Sequence, residues 1–297
     1  MDILLLARDM GLTLLEHEPL SRHTSFRIGG PARYFAVAEG WQVGGLYSAC
    51  AAKGLPFALI GNGSNILARD AGFPGLVCKL AAEEIEVSEN RITAPAGCLL
   101  SSLAATAQRA GLTGLEFAQG IPGSVGGGVF MNAGAYGGQM ADTLMESVYI
   151  DLAHPEAGEQ RLAAVGHTFG YRHSLYMERP HWLITKAVFE LAPGDSAAIA
   201  RVMADLAARR REKQPLEYPS AGSTFKRPQG HFAGQLIEEA GLKGYRIGDA
   251  QVSEKHAGFI VNRGSATCAD VLALMEHVEE TVEARFGIRL EGEVRLL

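Results

Sequence analysis

Two glycine-rich segments hold the residues best suited to chemistry. The first, Ile60-Gly61-Asn62-Gly63-Ser64-Asn65-Ile66-Leu67, follows a short apolar run at 56–60. Glycines directly after a strand let the chain turn sharply and aim several N–H groups at one point, which is how backbone cradles a phosphate. Gly61-x-Gly63, with Glu83 about twenty residues on, partly imitates a dinucleotide-binding fingerprint. Ile66 ends the imitation, and Gly72, Pro74 and Gly75 forbid the helix that such a site requires. Taken alone, this segment reads as a plain turn.

The second segment runs Gly120-Ile121-Pro122-Gly123-Ser124-Val125-Gly126-Gly127-Gly128 and continues through Met131-Asn132-Ala133-Gly134-Ala135-Tyr136-Gly137. Flexible linkers seldom interleave glycine with Ile, Pro, Val, Phe and Met. Glycine among apolar residues marks backbone that approaches something closely. Two such loops in one chain favour a large, phosphate-bearing cofactor over two coincidental turns. Other chemistries are poorly served. No GxxxxGK[ST] loop is present to hold a nucleoside triphosphate. Gly222-Ser223-Thr224-Phe225 lacks the G-x-S-x-G elbow of a hydrolase nucleophile. Cys50, Cys78, Cys98 and Cys268 form no CxxC pair, which argues against zinc and for reduced thiols in a cytosolic protein.

The elements that position these loops follow from local pattern. Strands are expected at 34–37, 57–60, 76–80, 148–151, 183–191 and 259–262, and a hairpin at 85–87 and 91–94 about Ser88-Glu89-Asn90. Helices are expected at 43–53 and 99–109, each stopped by a glycine (Gly54, Gly111). An Ala-rich helix over 196–213 is halted by Pro215. A helix over 269–286 opens on Thr267 and Asp270 in capping-box spacing and stops at Gly287. Strands and helices mix without regular alternation, so the expected class is α+β. The helix at 196–213 is expected to carry the chain from an N-terminal region to a C-terminal one.

With 297 residues, 47% hydrophobic and 20% charged, the chain has the composition of a globular protein of one to three domains. A net charge of -6 leaves no footprint for nucleic acid, and Arg209-Arg210-Arg211 and Lys213 sit where they complement a helix C-terminus. The apolar run near the start is too short and too charged at its flanks for a signal peptide, and nothing approaches the length of a membrane span. A cytoplasmic protein is expected.

In order along the chain come His23-Thr24-Ser25-Phe26-Arg27-Ile28-Gly29-Gly30-Pro31-Ala32, the loop at 60–67, Gly114-Leu115-Glu116-Phe117 leading into 120–137, and Tyr171-Arg172-His173-Ser174. Then follow Ala221-Gly222-Ser223-Thr224-Phe225-Lys226-Arg227-Pro228, Gly241-Leu242-Lys243-Gly244, Ser253-Glu254-Lys255-His256-Ala257-Gly258-Phe259 and Glu291-Gly292-Glu293-Val294-Arg295. Single motifs are weak, but this ordered set covers nearly the whole chain and resembles the UDP-N-acetylenolpyruvoylglucosamine reductase family of peptidoglycan synthesis. The resemblance implies an α+β fold with an FAD-binding domain of the vanillyl-alcohol-oxidase (PCMH) type over 1–195, in lobes of about 1–82 and 83–195. A smaller α+β substrate-binding domain would span 196–297, its C-terminal strand returning to the active site.

The resemblance further implies FAD as cofactor, NADPH as electron donor and a nucleotide sugar as substrate, with no nucleic-acid or membrane partner, in a monomer or weak homo-oligomer. FAD contacts carry over to Gly61, Asn62, Gly63, Ser64 and Asn65, and to Ile121, Pro122, Gly123, Ser124, Gly127, Asn132, Ala133 and Gly134. The catalytic set carries over to Arg172, Ser223 and Glu293, and substrate contacts to Tyr171, Lys226, Arg227 and His256. No metal is implied. Gly128 stands where alanine is expected and Arg227 where one branch of the family has asparagine. The stretch between Arg172 and Ser223 looks like that of the branch lacking a tyrosine-bearing loop over the substrate. Read without the family, Arg172 would be a surface ion-pair residue, Glu293 part of a polar strand face and Ser223 a turn serine. Lys226 and His256 would be as readily structural as functional. Another oxidoreductase on the same flavin fold and a nucleotide-sugar-binding regulator stay open as alternatives. Intact Arg172, Ser223 and Glu293 argue against the regulator, and no His-Cys pair near the glycine loops suggests covalent flavin.

Overall fold

The computed structural model describes residues 3–82 and 84–297; Glu83, the acidic residue spaced from the first glycine loop, lies outside the described residues. The chain divides into two compact units, each assembled from segments distant in sequence. The first comprises the chain up to Leu14, Ala36–Asn62 and Val77–Arg210; the second comprises Leu15–Phe35, Gly63–Leu76 and Arg211–Leu297. A single division at 195/196 does not coincide with these units. The reason is packing: Phe26, Ile28 and Leu67 share one buried cluster with Phe225, Leu236, Ile260 and Leu274.

The first unit is built on a five-stranded antiparallel sheet in the order Glu159–Ala163, Leu144–Asp151, Trp182–Glu190, Arg91–Pro95, Glu86–Ser88. Its last two strands are the expected hairpin. Ser88 pairs with Arg91, leaving Glu89-Asn90 as a two-residue loop, and Glu89 takes a positive φ of 54° as tight hairpin turns require. Helices α1 (Ile3–Asp9), α2 (Gly40–Ala52), α3 (Leu100–Arg109) and α4 (Val125–Met131) belong to this unit, as does the long α5 (Ser196–Lys213) as far as Arg210.

Helix α4 is the main departure from the sequence-based expectation. Three consecutive glycines disfavour a helix, yet here they are what allows it to pack. A Cβ on Gly126 would lie 2.8 Å from Ala96 Cβ, and one on Gly128 would lie 3.1 Å from Leu100 Cδ1. Glycine at 128, where alanine was expected, thus gives α4 room beside α3. Ser124 caps the helix by accepting from the Gly127 N–H, and Asn132 closes it in the left-handed conformation, φ 43°.

A buried polar network braces the same sheet. Ser147 Oγ lies 2.8 Å from His167 Nε2 and 2.6 Å from the Tyr176 hydroxyl, while His167 Nδ1 lies 3.0 Å from the Ala163 carbonyl. The Ala163 carbonyl can only accept, so Nδ1 carries the proton and Nε2 accepts from Ser147. Burial holds the His167 pKa below its ordinary value of 6.5. The unfolded chain therefore binds a proton that the folded chain refuses. This contribution to stability is full above about pH 6.5 and is lost as pH falls from there toward the depressed folded value, at up to about 1.4 kcal/mol per pH unit. Urea midpoints should fall more steeply between pH 7.5 and 5.5 for the natural protein than for His167→Gln. Parallel pH profiles would show that His167 does not carry the acid sensitivity.

The second unit packs two helices, α6 (Ala233–Glu239) and α7 (Cys268–Phe286), with a three-stranded antiparallel sheet of Arg246–Ile247, Ala250–Val252 and Ile260–Asn262. Val271, Leu274, Val278 and Val282 recur at helical spacing on α7 and are buried. Its N-terminus is fully furnished. Thr267 and Asp270 form the expected capping box, and both carboxylate oxygens of Asp70 accept from the N–H groups of Cys268 and Ala269. Gly287, φ 68°, ends it. Leu15–Pro19 pairs antiparallel with the start of Pro31–Ala38, and Arg295–Leu296 runs parallel to Ile66–Leu67. Among the described residues no helix is long and apolar enough to cross a membrane.

Candidate active site

In the first unit, the two glycine segments meet. Gly61 and Ser124 line one small cleft together with Lys79, Ala96, Gly97 and Gly126. A Cβ on Gly61 would lie 2.5 Å from Ser124 Oγ, so a side chain at 61 would displace the hydroxyl that caps α4. Asn62 ties the segments together: its Nδ2 donates to the Pro122 carbonyl at 2.7 Å, and its Oδ1 accepts from Lys79 Nζ at 3.0 Å. The first donors of α4 are already engaged, Val125 N–H on the Cys98 carbonyl and Gly126 N–H on that of Ala96. Lys79 is then the cleft's cation. Burial lowers its pKa, so its charged form is under-compensated, and a bound phosphate would restore that balance. Sequence reasoning missed Lys79, Ala96 and Gly97. A signal existed for the first, a lone lysine between Cys78 and Leu80 in the mostly buried strand Phe73–Leu80.

The remaining first-unit candidates surround this cleft's framework. The Gly123 carbonyl accepts from Leu100 N–H, and Ile121 N–H donates to the Ala118 carbonyl. Ala133 N–H returns to the Gly128 carbonyl, and Gly134 pairs with Gln139 in a short hairpin. Gln119, directly before Gly120, has a buried side-chain oxygen with no hydrogen-bond partner.

Tyr171 and Arg172 occupy the corner of a tight turn in which Gly170 and His173 exchange both backbone hydrogen bonds, at 3.1 and 3.2 Å. Arg172 has φ 54°, the left-handed region that turns of this kind ordinarily give to glycine or asparagine. Its guanidinium stacks 5.0 Å from the centroid of the exposed Tyr171 ring and reaches the Gly134 carbonyl at 3.4 Å.

The second unit brings Ser223 and Glu293 together. Segment 224–226 pairs antiparallel with 291–293: Glu293 N–H donates to the Thr224 carbonyl and Lys226 N–H to that of Glu291, both at 2.8 Å, with Phe225 opposite Gly292. Ser223, half-buried, is thus one residue from the rung that holds Glu293. Asn65 Nδ2 donates to the Glu293 carbonyl at 3.1 Å, and the Asn65 carbonyl accepts from Arg295 N–H. The half-buried Ser64 lies between Asn65 and Gly63. Gly63 is pressed against the His23-Thr24-Ser25 motif, where a Cβ would lie 2.0 Å from the His23 carbonyl oxygen.

The substrate candidates of this unit are less concentrated. Lys226 is ion-paired with Glu291. Arg227 lies over the Phe232 ring at 4.7 Å. His256 Nδ1 accepts from Gly258 N–H at 3.1 Å, and burial lowers its pKa, so the neutral ring presents its proton on Nε2.

Comparison with known proteins is consistent along the whole chain. Residues 31–152 match the FAD binding domain family, and residues 214–297 match the family described as UDP-N-acetylenolpyruvoylglucosamine reductase, C-terminal domain. A UDP-N-acetylenolpyruvoylglucosamine reductase of Agathobacter rectalis is 48% identical over 96% of this chain and 94% of its own length. One of Heliobacterium modesticaldum is also 48% identical, over 98% and 93%. The crystal structure of UDP-N-acetylenolpyruvylglucosamine reductase (MurB) from Thermus caldophilus superposes with a TM-score of 0.81 at 36% identity, covering 96% of this chain and 99% of that one.

Proposed function

The chain belongs to the UDP-N-acetylenolpyruvoylglucosamine reductase family, and from that premise we propose how its residues divide the work. The reaction is the reduction of the enolpyruvyl ether of UDP-N-acetylglucosamine to UDP-N-acetylmuramate for peptidoglycan synthesis, by an FAD-dependent oxidoreductase with NADPH as reductant. FAD, when bound, supplies the hydride that reaches C3 of the enolpyruvyl group.

The cleft fits that cofactor. Gly61 and Gly126 line it without side chains, and Lys79 offers the positive charge a pyrophosphate needs. Gly61, Asn62, Ser124 and Gly127 would hold the cofactor from the first unit.

As C3 gains hydride, negative charge develops on C2 and the adjoining carboxylate. Arg172 grips that carboxylate, a permanent planar cation suited to a two-oxygen acceptor. Glu293 hydrogen-bonds the developing enolate oxygen, for which a protonated carboxyl is the competent form. Ser223 delivers the proton to C2, whose carbanion character is basic enough to deprotonate a hydroxyl. Lys226, Arg227, His256 and Tyr171 contact the nucleotide-sugar body. The protein works in the cytoplasm as a monomer or weak homo-oligomer without nucleic acid, in keeping with its net charge of -6 and four buried free thiols.

The meeting of the two glycine segments beside Lys79 is the observation that carries this reading. Purified protein should be yellow, acid should release all colour into the supernatant, NADPH should bleach it, and the enolpyruvyl substrate should restore it without oxygen. Colourless protein that takes up no added FAD would overturn the reading.

A further inference from the structure

We propose that Asn132 is a positioning residue for Arg172, fixing the turn from which the guanidinium reaches substrate; this rests on the role given to Arg172 above. Asn132 is buried, 2% exposed, and its side chain is fully committed to protein. Nδ2 donates to the Gly170 carbonyl at 3.0 Å and to Gln139 Oε1 at 3.1 Å, while Oδ1 accepts from Ala141 N–H at 3.0 Å. Gly170 opens the turn whose corner is Arg172, and its carbonyl also accepts from His173 N–H. A second tether runs alongside, Ser174 Oγ donating to the Phe130 carbonyl at 2.7 Å. The turn is thereby attached to the C-terminal end of α4. Asn132 reaches Arg172 by another route as well. Gly134, whose carbonyl accepts from the guanidinium, sits in the hairpin that carries Gln139.

Capping alone does not explain this asparagine. A left-handed helix end is satisfied best by glycine, which lacks the Cβ penalty. Asn132→Gly therefore preserves the backbone cap and removes the tether to Gly170 together with the side-chain bonds to Gln139 and Ala141. Asn132→Asp keeps the acceptor for Ala141 N–H but sets an oxygen against the Gly170 carbonyl, which has no alternative role to adopt. The aspartate variant is the more damaging of the two.

Both variants should be made in the FAD-loaded enzyme and followed by hydrogen exchange and stopped flow. Amides of segment 168–176 should exchange faster in Asn132→Gly and faster still in Asn132→Asp. Reoxidation by the enolpyruvyl substrate should slow roughly 10- to 100-fold, the scale on which misplacement of about 1 Å acts, and by at least about tenfold more than reduction by NADPH. Combined with Arg172→Ala, either variant should add little further slowing. Unchanged exchange in Asn132→Asp overturns the proposal, as does normal reoxidation in both variants while Arg172→Ala is slow. If Arg172→Ala itself reoxidises normally, the role of Arg172 fails. The exchange data still decide whether Asn132 fixes the turn.

Discussion

Ser223→Ala should fold, bind FAD and bleach with NADPH, yet turn over roughly two to four orders of magnitude more slowly, the usual effect of removing a positioned proton donor. The surroundings of Ser223 keep this substitution local. Thr224 is clamped on both sides, its N–H on the Gly258 carbonyl, its carbonyl on Glu293 N–H and its hydroxyl on Ile260 N–H. The turn before it is set by Gly222 at φ 80°. None of these bonds uses the Ser223 hydroxyl, so alanine removes that hydroxyl and little else. Ser223→Cys keeps a donor of similar shape and should retain more activity than the alanine variant. In deuterated water, solvent deuterium should appear at C2 of the product. An alanine variant with near-normal turnover would return Ser223 to the status of a turn serine.

Arg172→Gly should do two opposite things at once. Glycine adopts the left-handed conformation freely, so releasing Arg172 from φ 54° should raise stability by up to about 1 kcal/mol, net of the entropy glycine gains in the unfolded chain. Losing the guanidinium removes the group we propose to meet charge developing at the substrate carboxylate, and reoxidation should fall about 100- to 1,000-fold. Reduction by NADPH precedes that charge and should be spared. Arg172→Lys, which keeps the charge without the two-pronged donor, should fall between. Thermal melts and single-turnover traces on the same preparations separate the two effects. A glycine variant both less stable and equally slowed in the two half-reactions would assign Arg172 to folding.

Features written in local sequence were legible before the structure. Thr267, Asp270 and Gly287 fixed α7 because capping is a matter of three or four consecutive residues. The hairpin about Ser88-Glu89-Asn90 was likewise local, although Ser88 joins the strand and leaves only Glu89-Asn90 as the loop. Helix α4 was hidden because glycine's low helix propensity and its permission for close packing point in opposite directions. Only the distances to Ala96 and Leu100 show which prevails. Gly61, Ser124 and Gly127 were expected at one cofactor site and do line one cleft. Lys79 was missed because nothing near it in sequence announces Asn62 as its partner. Asn132 belonged to a recognisable motif, but its partners lie 7, 9 and 38 residues away, a separation no local pattern encodes.

A ribosome delivers Phe26, Ile28 and Leu67 long before the residues that bury them, which lie between Ala221 and Leu290. At the ordinary pace of about 5–20 residues per second, the nascent chain carries these apolar side chains uncovered for roughly ten seconds or more. Over that interval the second unit exists only as the separate segments Leu15–Phe35 and Gly63–Leu76. A chain stalled or cleaved after 195 would keep Leu15–Phe35 and Gly63–Leu76 without the helices that cover them, and would aggregate before it could serve as a flavin-binding fragment.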